Sequence, residues 1–169
     1  MQATSLQPGR HGHRWRCLRE SRVEVDVNLD RRGPVHVVTD RDDLSEAIAA
    51  VASGGGFALR LYSEGGPCAD TRLIVEDCGY ELGAALREAL GPTASGIALP
   101  QKIAVGAAMG LSGVLAAAFC ESLGRGLGAC VEASSPISEM SRPDAEGFVG
   151  VGQAIASAAR QRPEDVSRR

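Results

Sequence analysis

Histidine is scarce in this sequence and stops early. Three are present, and His36 is the last, so no imidazole is available as base or ligand in the rest of the chain. Lysine is scarcer still. Lys102 is the only one, and a positive charge carried by arginine in an Ala- and Gly-rich chain fits a high-GC bacterial coding sequence. Aromatic residues make up only 4%, so a core must be built from Ala, Leu, Val, Ile and Gly packed through small side chains. Positive charge is not in excess. A net charge of −3 argues against non-specific nucleic-acid binding by the body of the protein. There is no C-x-x-C pair, and no apolar leader marks the start. The five cysteines, Cys17, Cys68, Cys78, Cys120 and Cys130, are an odd number and are expected as reduced thiols in a cytoplasmic protein.

What is present indicates a folded domain. The chain has 169 residues, 44% of them apolar, enough for one core. Residues 1–17 are expected as a flexible basic tail. Over the longer stretch Met1–Arg22, Arg10, Arg14, Arg16, Arg19 and Arg22 stand against Glu20 alone, which reads as either a free tail or a docking arm for an acidic partner. His11-Gly12-His13 lies within it, able to hold a metal only weakly. Ile103–Cys120 carries no charge and approaches the ~18–20 residues that span a membrane. Its Gly and Ala content and the Ser112-Gly113 break instead predict buried core or a subunit interface.

Val23–Leu29 alternates apolar and polar residues, the period of a half-buried strand. Val35–Val38 is expected to pair back on it after the Arg31-Arg32-Gly33-Pro34 turn. Asp40 or Asp42 caps a helix with the stripe Leu44, Ala47, Ile48 and Val51, ended by Ser53–Gly56. Phe57–Tyr62 reads as a strand. Asp70 or Thr71 caps a second helix with the stripe Ile74, Cys78, Leu82, Leu86 and Leu90, stopped by Gly91-Pro92. The order is β-β-α-β-α.

The second half is expected to repeat it. Two short strands fall in Ile97–Ala108, and a helix capped by Ser112 runs to about Leu123. A Gly124–Gly128 turn follows, then a strand at Ala129–Ala133. Asp144 caps a last helix through Phe148, Val151, Ile155 and Ala159. The fold class is thus α+β, two similar halves at 18–91 and 92–161 with sheets packed against helices, and 162–169 forms a polar tail. The 124–128 G-x-G-x-G follows a helix rather than a strand, which reads as a turn and not a phosphate loop.

Two stretches carry a family resemblance. Arg19–Asp30 reads R-E-S-R-V-E-V-D-V-N-L-D, and Val75–Gly91 reads V-E-D-C-G-Y-E-L-G-A-A-L-R-E-A-L-G. Both resemble imidazoleglycerol-phosphate dehydratase, a lyase of histidine biosynthesis, over about Leu18 to Arg160. The resemblance implies a ribosomal protein S5 domain 2-like fold, homo-oligomers, and metals held by histidines and glutamates between subunits. Val75-Glu76-Asp77 matches the end of that family's H-H-x-V-E-D signature, but its two histidine positions are Arg72 and Leu73. A D-H-M motif falls on Ser45-Glu46-Ala47. Second-half ligand positions fall near Glu146, Gly147 and Gly150, with another near Cys130–Glu132. The substrate arginine after G-I becomes Ala98 or Leu99, and S-G-R-P shrinks to Ser112-Gly113-Val114. Glu20 matches an early substrate glutamate.

Without imidazoles, Mn²⁺ or Zn²⁺ loses its nitrogen donors, so no cofactor is expected. One reading is a metal-independent acid–base lyase or isomerase acting on a small polar metabolite. Glu46, Glu76 and Cys68 would be its catalytic groups, and Glu20 and Arg72 its binding groups. If Glu46 and Glu76 converge, their repulsion creates an acid–base pair; the plainer alternative pairs Glu76 with Arg72 one turn away. Cys68 precedes a helix but lacks a histidine partner, which favours an inert thiol. The other reading is a non-catalytic binding or assembly subunit. Neither involves a nucleic acid or a membrane.

Overall fold

The structure, a computed structural model, describes residues 9–18, 20–91, 111, 113–129 and 146–160. Four strands form one sheet in the order β1-β2-β4-β3. They are β1 (His11–Cys17), β2 (Ser21–Asn28), β3 (Val35–Val38) and β4 (Ala58–Gly65). The helices are α1 (Asp42–Gly55), α2 (Thr71–Leu90), α3 (Gly113–Leu127) and α4 (Glu146–Arg160).

The alternation in β2 has its expected consequence. Val23, Val25 and Val27 are buried with Leu59 and Leu61 of β4 under α1 and α2. The two predicted stripes, Leu44/Ala47/Ile48/Val51 and Ile74/Cys78/Leu82/Leu86/Leu90, are buried throughout. Helix α3 packs on α2 and α4 on α1, and Phe119 meets Phe148 edge-on at 5.8 Å. The small-residue core predicted from the lack of aromatics is realised as close helix contacts. A Cβ on Gly79 would lie 2.7 Å from the Phe119 carbonyl oxygen.

Several expectations are corrected. Residues 11–17 are not part of a flexible tail: they form β1, antiparallel to β2 from His11↔Asn28 to Cys17↔Arg22. Glycine at position 12 makes this possible, because a side chain there would collide with the Ala85 backbone of α2. Strand β3 does not pair back on β2. It runs parallel to β4, Val35↔Leu59 to Val38↔Tyr62, so the sheet is mixed and α1 is a crossover between parallel neighbours.

Arg41, not Asp40 or Asp42, is the N-cap of α1, and its side chain makes no cap bond. Asp40 instead accepts the Gly65 amide at 2.6 Å. Asp70 caps α2 as expected, accepting the Arg72 amide at 2.9 Å. The Gly124–Gly128 turn is helical through Leu127 and ends at Gly128, φ +76°. A glycine at every second position does not interrupt a helix that α2 supports along this side.

The expected strands within 97–108, the caps at Ser112 and Asp144, and Cys130 lie outside the described residues, as does the expected strand Ala129–Ala133 except for Ala129, which is a bend. Among the described residues no helix is long and apolar enough to cross a membrane; the part of Ile103–Cys120 that is described begins α3, with Phe119 and Cys120 buried.

Candidate functional site

Because β3 and β4 are parallel, their C-terminal ends lie at one edge of the sheet, and α1 and α2 both start from it. Glu20, at the entry to β2, reaches the same edge. Its carbonyl accepts the Gly66 amide at 2.8 Å, which ties it to the Gly65–Asp70 loop. Cys68 is exposed in the turn of that loop, closed by the Ala69 amide donating to the Gly66 carbonyl at 3.0 Å. Arg72 and Glu76 follow on the first turns of α2. On the α1 side, the Thr39 and Ser45 hydroxyls meet at 3.0 Å, fixing the helix start that carries Glu46.

The five predicted residues therefore share one end of the fold, and two of them, Arg72 and Glu76, are bonded to each other. Arg72 Nε donates to Glu76 Oε1 at 2.8 Å, with the arginine 58% and the glutamate 29% exposed. That hydrogen bond, helped by the charge of Glu76, raises the Arg72 pKa. The plainer alternative for Glu76 is thus the one observed. Glu46 is exposed and has no ion-pair partner among the described residues. The Glu20 side chain and the Cys68 thiol are exposed, and neither is bonded to a base or cation among the described residues.

Sequence reasoning missed a buried charge cluster in the same layer. Asp77 and Glu81 of α2 are 5% and 3% exposed. Ser21 donates to Asp77 Oδ2 at 2.7 Å. Arg16 lies 3.4 Å from Asp77 and 3.6 Å from Glu81, and Arg14 Nε donates to Glu81 at 3.3 Å. Every carboxylate in the cluster is compensated, which is what permits its burial. The signal was present in the sequence: Asp77 and Glu81 are four residues apart, each immediately before a stripe residue (Cys78 and Leu82), and Gly12, Arg14 and Arg16 share one face if the tail is a strand.

The dehydratase resemblance implies metal, and the residues here do not suit it. A guanidinium stands at one ligand position and occupies the surviving glutamate, and an apolar Leu73 stands at the other. Among the described residues no group of three or more His, Cys, Asp or Glu is placed to hold a metal ion. The buried thiols are chemically quiet. Desolvation pushes Cys78 and Cys120 each up to about 12, the former eased slightly by the Ser63 hydroxyl.

No protein-family profile matches the chain. Over 76 residues, 45% of its length, it is 37% identical to "Histidine biosynthesis bifunctional protein HisB" of Stenotrophomonas maltophilia (strain K279a) and covers 21% of that protein. A protein of the same name from Xanthomonas campestris pv. campestris (strain B100) is 38% identical over 76 residues, with 20% of it covered. The chain thus spans about a fifth of the length of the curated relatives it matches. The similarity is consistent with the dehydratase-like relation that residues 19–30 and 75–91 carry, and it covers less than half of this chain.

Proposed function

We propose that this protein is an imidazoleglycerol-phosphate dehydratase relative that has given up metal-dependent dehydration. In this reading it serves as a non-catalytic binding or assembly subunit, a homo-oligomer of the cytoplasm with two similar halves. One observation carries the reading, the 2.8 Å bond from Arg72 to Glu76. A cation at a former ligand position does two things at once. It removes a nitrogen donor, and it neutralises the carboxylate a metal would need. The packing of α1 on α4 and of α2 on α3 supports the two-halves part of the proposal, because exchanging the halves exchanges those pairs.

A second reading, a metal-independent lyase or isomerase on a small polar metabolite, has one observation in its favour. The Glu20–Gly66 bond draws Glu20 toward the Cys68 loop, at the sheet end where Arg72, Glu76 and Glu46 also lie. Native mass spectrometry of gently purified protein, with Glu46→Gln/Glu76→Gln beside the wild type, separates the two. A subunit role predicts the same assembly for both proteins and no turnover of imidazoleglycerol phosphate with added Mn²⁺. A stoichiometric small molecule that is lost in the double variant would instead establish the acid–base site.

A further inference from the structure

The sheet has a second face, left open by every helix among the described residues. Helices α1 and α2 pack on the side of Val23, Val25 and Val27, so alternate residues of each strand point the other way. Register sets Trp15, Glu24, Tyr62 and Val38 in one row across β1, β2, β4 and β3. The tryptophan is 59%, the valine 57% and the tyrosine 39% exposed. Trp15 is the chain's single tryptophan. A face that leaves it in water beside two further large apolar groups is a surface without its cover.

Charge flanks this row on both sides. Asp26 and Arg60 are cross-strand neighbours in the row toward the β2–β3 turn, and Arg22 and Glu64 in the row toward the β1–β2 turn. Contacts within the chain hold these groups in place on the face. Asp26 lies 3.1 Å from His11 Nε2 and 3.7 Å from His13 Nδ1. Arg22 lies 3.6 Å from Glu24 and 5.8 Å from the centre of the Tyr62 ring, and the Tyr62 hydroxyl donates to Glu64 at 3.1 Å. Across the three rows Glu24, Asp26 and Glu64 stand against Arg22 and Arg60, a balance that suits neither a polyanion nor an anionic membrane.

The pattern complements itself. Turning the face over about an axis along the strands, midway between β2 and β4, keeps each row in place and exchanges β2 with β4 and β1 with β3. Asp26 then meets Arg60 of the other copy and Arg22 meets its Glu64, each twice. Trp15 meets Val38 at both ends of the middle row, and His13 falls over His36 at the margin. No acid meets an acid, and no arginine an arginine. The geometry points to a second copy of this chain as the occupant, seated face to face about that two-fold axis in an isologous dimer. Sheets packed this way cross at about 30° with side chains interdigitated, and Trp, Tyr and Arg are the residue types that anchor such contacts. The face, roughly 450 Å² of plane for strands ~4.8 Å apart rising ~3.3 Å per residue, is small for a specific interface. Micromolar association is therefore expected. The dimer rests on the homo-oligomeric part of the reading above, to which it gives a surface and a symmetry.

The test is sedimentation velocity of the full-length protein from about 0.5 to 200 μM, bracketing micromolar affinity, with Trp15 emission and acrylamide quenching read on the same samples. Expected are a monomer-to-dimer transition and, over the same range, a blue shift and protection from quenching. Asp26→Arg and Arg60→Asp each set like charges opposite one another twice and should weaken self-association at least about tenfold. Mixed in equal amounts, the two variants should form a heterodimer, because arginine again faces acid at both places. An oligomer in which Trp15 stays quenchable overturns this interface and leaves the homo-oligomeric reading standing. A chain monomeric throughout overturns both. A closed trimer overturns the two-fold, and so does a mixture that fails to associate while both variants keep the wild-type circular dichroism. Trp15 already shielded in the monomer would mean that a segment of its own chain covers the face, and also overturns the dimer. The wild-type titration stands by itself, so variants that failed to fold would still leave the face decided.

Discussion

Replacing Gly79 by alanine tests whether α2 and α3 touch through backbone. The new methyl would stand 2.7 Å from the Phe119 carbonyl oxygen and 3.2 Å from the Leu123 amide nitrogen, where ordinary contact begins at 3.4 Å. Backbone atoms of a packed helix cannot swing aside as a side chain can, so α3 must retreat by about 0.7 Å. Such overpacking costs about 1–3 kcal/mol, and two backbones place this case near the top. Alanine's better helix propensity returns about 1 kcal/mol. The net loss is about 2 kcal/mol, a drop in melting temperature of roughly 4–8 °C for a chain of this size. Gly150→Ala is the matched control, since among the described residues nothing lies within 4 Å of its Cβ position on α4. It should stabilise by about 0.5–1 kcal/mol. Urea unfolding of both variants, read by circular dichroism, checks the pair. If Gly79→Ala proves as stable as wild type while Gly150→Ala behaves as expected, the contact argument is wrong.

Thiol labelling of the native protein at pH 8, mapped by peptide mass, should modify the exposed Cys17 and Cys68 and spare Cys78 and Cys120, which react only after unfolding. Arg16→Ala strips two buried carboxylates of a shared cation. It should cost about 1–3 kcal/mol in urea unfolding, below the full penalty of a broken buried pair because Arg16 is partly solvated. Glu76→Gln removes only an exposed ion pair and should leave the melting temperature within about 1 °C. Pairing with Arg41 lowers the Asp43 pKa below its ordinary 3.8. That stabilisation is complete above the ordinary value and fades as the pH falls through it and below. Melting curves of wild type and Asp43→Asn should therefore differ by a constant amount near neutrality and converge in acid.

The helices were legible in the sequence because each writes its buried face as an i+4 stripe, and Cys78–Leu82–Leu86 could be read without knowing what covered it. The sheet was less legible. Nothing in Val35–Val38 says which neighbour it chooses, and its pairing with β4 follows from the α1 crossover, a tertiary fact. Strand β1 was masked by composition: arginine and histidine at alternate positions look like a solvated tail until two buried acids are known to face them. For the site, the motif positions fall together at one end of the fold. The spacing offered the Arg72–Glu76 pair as the plainer reading, and the 2.8 Å bond bears it out, although an arginine one turn from a glutamate looks the same on paper whether it binds the acid or a ligand.

The union of β1 with α2 has a consequence for the order in which the protein can form. During synthesis, Arg14 and Arg16 leave the ribosome well before the Asp77 and Glu81 that hold them, and Gly12 waits for Ala85. The first strand made is therefore among the last to acquire all its native contacts. A hairpin of β1 and β2 can assemble locally, but its inner face stays open until about 50–57 further residues have emerged, which at ~5–20 residues per second is several seconds. Over that interval the nascent chain presents an unprotected strand edge beside free arginines, and a chaperone or an acidic surface would meet it there first.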